Sequence, residues 1–76
     1  MMTPEQAEQV AFEFLVREQR GVVSHVGGRF LGTLLLCDYC LDGVLAVDQP
    51  MVEVDRTTGA CRYSELTVID IIGTAR

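Results

Sequence analysis

Cys37, Asp38, Tyr39 and Cys40 form a C-x-x-C, and Cys61 and His25 elsewhere bring the soft donor side chains to four. Tetrahedral zinc takes sulfur and imidazole ligands, and a C-x-x-C delivers two of them from one tight turn. A second such pair is missing, so the other two ligands would come from single, scattered positions. In an extended strand Cys37 and Cys40 point to opposite faces, and only a knuckle-like turn at Asp38-Tyr39 brings both to one metal. The competing reading treats all three cysteines as small hydrophobes and leaves the protein without a cofactor. A redox disulfide needs a helix N-terminus in a thioredoxin-like setting, and neither surrounds Cys37. His25, the only histidine, sits on a short strand with Val22, Ser24 and Val26, with no signature of a Cys–His nucleophile pair. No residue is assigned a catalytic role, and the chain reads as non-enzymatic.

The carboxylates are more suggestive. Asp38, Asp42, Asp48, Glu53 and Asp55 all fall within residues 30–55, a segment without Arg or Lys. Asp42 and Asp55 precede or open Gly-containing turns and read as turn-makers. Asp38, Asp48 and Glu53 are left as a candidate acidic surface for a basic protein partner. Tyr39 among them would serve as the aromatic anchor that often carries binding energy.

The elements that position these residues begin with a helix. Thr3-Pro4-Glu5-Gln6 combines an N-cap, a proline at the first helical position and the third-residue Gln of a capping box. Ala7, Val10, Ala11 and Phe14 follow the i, i+3, i+4, i+7 spacing, widened by Phe12, Leu15 and Val16. The spacing predicts a helix over residues 4–20, ended by Gly21. Residues 22–26 read as a strand, Gly27-Gly28 as a two-residue hairpin turn, and residues 29–41 as a long extended segment broken or bulged near Gly32. Asp42-Gly43 closes a hairpin onto residues 44–47. Asp48-Gln49-Pro50 leads into the clearest hairpin, residues 49–63, with Val52 and Val54 on one face and Asp55, Thr57, Thr58 and Gly59 in its turn. Residues 66–72 are rich in β-branched side chains and read as a strand, although Ser64 could cap one or two helical turns. The expected fold is α+β: one N-terminal helix packed on an antiparallel four- to five-stranded meander sheet, a single domain over residues 1–76.

Composition narrows the classes. The 76 residues are 49% hydrophobic, more than so small an interior needs, so apolar surface is expected at a homodimer or hetero-complex interface. A net charge of −5 with six Arg and no Lys argues against nucleic acid, whose binding rests on neutralised phosphates. The run Leu34–Cys37 is too short to cross a bilayer. The opening residues lack the basic segment and apolar run of a secretory signal, and an odd cysteine count suits a reducing compartment, so a cytoplasmic location is expected.

Thr3, Glu5 and Ala7 at the start, Phe14-Leu15 near the helix end, and Pro50, Val52, Val54, Asp55, Thr58 and Gly59 in the hairpin together resemble small bacterial proteins of the YrhB-like immunity type. That resemblance implies a cytoplasmic inhibitor that neutralises a toxin by binding it. The family's aromatic strand is replaced here by Leu34-Leu35-Leu36, and its C-terminal segment is not evident in residues 66–72. The V-D-x-x-T-G turn after a helix-then-sheet unit is also similar to the PepSY-type domain, which implies a secreted or membrane-associated regulatory module. Three readings therefore stand: a protein-binding inhibitor, a zinc-stabilised accessory domain built on Cys37, Cys40, Cys61 and His25, and a PepSY-like regulator.

Overall fold

The computed structural model describes residues 1–74. Helix α1 (Pro4–Glu18) is followed by strands β1 (Val23–Leu31), β2 (Leu34–Leu41), β3 (Val44–Leu45), β4 (Pro50–Asp55) and β5 (Cys61–Thr67), and then by helix α2 (Val68–Thr74). The five strands make one antiparallel sheet in the order β1-β2-β4-β5, with the two-residue β3 also on β2. The expected α+β architecture, a helix on an antiparallel meander, is the architecture found.

The N-terminus forms as its residues dictate. Thr3 Oγ1 accepts the Gln6 N–H at 3.2 Å and Gln6 Oε1 accepts the Thr3 N–H at 2.9 Å, which pairs donors that a helix start leaves orphaned. Ala7, Ala11 and Leu15 are fully buried against the sheet. The helix stops two residues before the expected end. Gln19 is extended and its N–H donates to the Leu15 carbonyl at 2.8 Å. Its side-chain amide donates to Tyr63 Oη at 2.7 Å, so a tertiary contact ends the helix ahead of Gly21.

Two turns match their residues. Asp42 and Gly43 both take positive φ, 53° and 82°, as a tight hairpin requires. The Asp55 carboxylate accepts the N–H groups of Thr57 and Thr58 at 2.8 and 3.2 Å, and Gly59 takes a φ of +79°.

The Gly27-Gly28 turn is corrected. Both glycines lie inside β1, opposite Asp38 and Cys37, and the chain reverses at Gly32 (φ +65°) and Thr33 instead. The reason lies on the helix side of the sheet. A Cβ on Gly28 would stand 2.9 Å from Leu35 Cγ and 3.1 Å from Cys37 Sγ, so this glycine exists for close packing and not for a turn. The break expected near Gly32 is thus a full reversal, and residues 29–41 comprise the end of β1, a turn and the whole of β2.

The reading of residues 66–72 as a strand is also corrected from Val68 onwards. Thr67 and Asp70 form a second capping box, with Oγ1 and Oδ2 accepting the reciprocal N–H groups at 3.2 and 2.9 Å. This cap starts α2 in spite of the β-branched residues. Ser64 caps nothing; its Oγ accepts the Leu66 N–H at 3.0 Å within β5.

The core lies between α1 and one face of the sheet, where Leu35, Cys37, Tyr39, Val52 and Val54 meet Ala7, Ala11 and Leu15. Phe14 and Tyr63 pack edge to face at 5.0 Å between centroids. Among the described residues no helix is long and apolar enough to cross a membrane.

Candidate functional site

Strand alternation divides the chemistry-bearing residues between two faces. Cys37, Tyr39 and Cys61 share the helix-covered face with Val52, Val54 and Tyr63. His25, Asp38, Cys40 and Glu53 lie on the opposite, open face, as the register pairs His25 with Cys40, Gly27 with Asp38, and Leu36 with Glu53.

The zinc alternative meets a geometric obstacle. Asp38-Tyr39 makes no knuckle; it is regular strand, so Cys37 and Cys40 point away from each other. Among the described residues no group of three or more His, Cys, Asp or Glu side chains gathers as a metal site would. Burial pushes the Cys37 thiol up to about 12, with Glu8, Cys61 and Asp38 adding to it. Burial likewise raises Cys61 to about 11, against a smaller opposing pull from Arg17. Thiols held protonated in this way are poor nucleophiles and poor ligands.

Tyr39 is 1% exposed, which removes it as a surface anchor. Its hydroxyl donates to the Pro50 carbonyl at 3.0 Å, and burial, then Tyr63 and Asp48, raise it to about 12. The aromatic expected to meet a partner instead ties β2 to the start of β4.

The three acidic candidates do not form one acidic surface. Asp48 is exposed on the connection before β4, at one end of the sheet. Asp38 is half-buried near the middle of the open face. Glu53 is largely covered and is engaged by Arg62, which is 79% exposed. Residues 30–55 lack Arg in sequence, but pairing with β1 and β5 brings Arg29 and Arg62 in from either side. The register lines up Arg29, Leu36, Glu53 and Arg62 across β1, β2, β4 and β5.

Beneath this ladder lies a small apolar floor that belongs to neither helix nor main core. Leu36 and Met51 are each 4% exposed, and with His25, Arg29 and Asp38 they line a shallow depression. The signal for it was the uninterrupted run Leu34-Leu35-Leu36-Cys37, which marks a strand with apolar contacts on both faces. The arginines carried no such signal, because only the pairing of distant strands places them here. Comparison with protein families, with characterised proteins and with solved structures returns no match for this chain.

Proposed function

We propose that this chain is a non-enzymatic protein-binding module, of the kind that inhibits an effector by occluding it, and that it binds through the open face of its sheet. The observation that carries the reading is the one-sided architecture. Helix α1 covers one face, while the other presents the Arg29–Leu36–Glu53–Arg62 ladder and Asp38 over an apolar floor. Leu36 and Met51 are themselves buried, so they support the ladder from below and the contact surface is the charged one. The raised thiols of Cys37 and Cys61 favour a binding role over nucleophilic chemistry. With two arginines interleaved among the acids, the fitting partner carries charges of both signs, and the resemblance to immunity proteins makes a toxin the first class to try. Cytoplasmic residence belongs to the same proposal.

The test exchanges the central pair. Glu53→Arg with Arg62→Glu keeps opposite charges at the two positions but inverts the pattern a partner meets. Wild-type protein is expected to capture a stoichiometric host protein that the exchanged variant, melting at the same temperature, does not. Capture that survives the exchange, or no stoichiometric partner from the native host, overturns the reading.

A further inference from the structure

Strand β1 ends the sheet, and from His25 to Leu31 it pairs with β2 in unbroken register. Its outward-facing groups follow from the hydrogen bonds of β2. The Tyr39 carbonyl accepts from Ala46 N–H and the Thr33 carbonyl from Arg56 N–H, so the odd-numbered residues of β2 bond towards β3 and β4. The even-numbered ones bond towards β1. In β1, therefore, His25, Gly27, Arg29 and Leu31 bond inward, whereas Val26, Gly28 and Phe30 offer free N–H and C=O groups to solvent. From His25 to Leu31 there is no proline, lysine or bulge to protect the edge, and the register shift of β1 lies just before this stretch, between Val23 and His25. The other edge is better closed. In β5 the Leu66 N–H is taken by Ser64, the pairing with β4 is irregular, and the strand runs directly into α2.

We infer that the occupant of this edge is a second copy of the chain, paired antiparallel through β1 about a two-fold axis at Gly28. Charge selects that register. Hydrogen-bonded pairing requires Val26, Gly28 and Phe30 to face one another. Shifted one way, Arg29 would oppose Arg29 of the other copy, and like charges directly opposite are unfavourable. Shifted the other way, it would oppose the His25 side chain beside Cys40 instead of the bare Gly27 beside Asp38, and the ion pair would be lost. Centred on Gly28, Val26 faces Phe30 and Arg29 faces Gly27. Gly27 has no side chain and lies beside Asp38 of its own sheet. The guanidinium of one copy thus passes over Gly27 of the other to reach Asp38, twice by symmetry. Neither Arg29 nor Asp38 makes an ion pair within its own chain among the described residues. Above Gly27 the space where a Cβ would stand is already bounded by Asp38 Oδ1 at 3.2 Å and His25 Nε2 at 3.1 Å, so the Asp38 carboxylate leans over the crossing point.

The helix-side face agrees. Phe30 is 42% exposed, a large apolar surface for an edge residue, with the Arg56 guanidinium 4.1 Å above its ring. In the paired register Phe30 of one copy lies against Val26 of the other, beside a groove lined by Glu5, Glu8 and Phe12. The stacked arginine then faces acidic side chains. The five-stranded sheets join into one continuous sheet with both α1 helices on the same face.

The pairing shares Arg29 and Asp38 with the open face but not Glu53 and Arg62, so the Glu53/Arg62 exchange tests the open-face reading alone and the amide exchange of Val26, Gly28 and Phe30 tests the pairing alone. Sedimentation of the full chain is expected to give twice the 8.4 kDa mass. Arg29→Asp is expected to weaken association by about tenfold or more, and adding Asp38→Arg to restore it. Val26→Pro, which removes an outward N–H but also alters a side chain packed against the core, is expected to give monomers that remain folded by melting. Hydrogen exchange supplies a readout that no variant's folding can confuse: in the wild type the amides of Val26, Gly28 and Phe30 are slow, and dilution to the monomer makes them fast. A wild-type monomer at concentrations up to about 0.5 mM overturns the inference. So does a dimer in which those three amides exchange freely, or one indifferent to Arg29→Asp and Val26→Pro.

Discussion

One methyl group added at Gly28, and one at its neighbour Gly27, should have opposite consequences. At Gly28 the new Cβ stands 2.9 Å from Leu35 Cγ, 3.0 Å from Leu35 Cδ1 and 3.1 Å from Cys37 Sγ. Comfortable carbon contacts begin near ~3.5 Å, and Leu35 is only 1% exposed, so a packed side chain must shift. Overpacking of this kind costs about 1–3 kcal/mol. Replacing glycine restricts the unfolded chain and returns about 0.4–1 kcal/mol, which leaves a net loss of about 1.3 kcal/mol at the midpoints of the two ranges. For a domain of this size that lowers Tm by about 5–10 °C. At Gly27 the new Cβ meets His25 Nε2 at 3.1 Å and Asp38 Oδ1 at 3.2 Å, the far ends of side chains on the open face that can swing aside. In the dissociated chain Gly27→Ala should therefore be neutral or stabilising by up to about 0.5 kcal/mol, whereas in the paired form the same methyl stands where Arg29 of the other copy crosses to Asp38 and should weaken association. Thermal and urea melts of the two variants at concentrations low enough to keep the chain monomeric make the comparison. Equal destabilisation, as a glycine-glycine turn would produce, refutes the reasoning, and so does a Gly28→Ala protein as stable as wild type.

Two further predictions concern the turn and the buried hydroxyl and thiols. Asp42 takes a φ of 53° and its Oδ1 accepts the Val22 N–H at 2.9 Å, so Asp42→Ala should cost about 1–2 kcal/mol by urea unfolding. Asp42→Asn, which tolerates the same backbone, should cost less than half of that. On the alkaline side, Cys37 and Cys61 are raised from 9.0 to about 12 and about 11, and Tyr39 from 10.0 to about 12. Below pH ~9 these groups are protonated in both states and their contribution is fully present; above it the unfolded chain releases protons that the folded chain keeps. The urea midpoint should therefore fall progressively between pH ~9 and ~12, and Cys37→Ala should flatten the slope; a midpoint independent of pH over that range contradicts the burial argument.

The features legible in the sequence were those set by neighbours along the chain. The Thr3–Gln6 capping box, the Asp42-Gly43 turn and the Asp55–Gly59 turn all form between residues a few positions apart. The features that were misread depended on distant residues. Gly27-Gly28 has turn chemistry, but Leu35 and Cys37 crowd its strand. Residues 68–72 have strand propensity, but the Thr67–Asp70 box governs their backbone. Gln19 leaves the helix early for Tyr63. The candidate site shows the same division, because Asp38, Asp48 and Glu53 look like one acidic group only while the strands are laid end to end.

From its own residues, then, the chain determined a capped helix, an antiparallel sheet and the turns joining most of its strands, because caps, turns and hydrophobic periods are local and repeat whatever they pack against. The C-x-x-C shows what the sequence could not reach. Two cysteines three residues apart are ligand-like in a turn and separated in a strand, and the pairing of β2 between β1 and β4 decided for the strand. The same pairing buried Tyr39, threaded Arg29 and Arg62 among the acids, and left β1 with an open edge. Those outcomes belong to tertiary structure, since which face a strand covers depends on the neighbours it acquires.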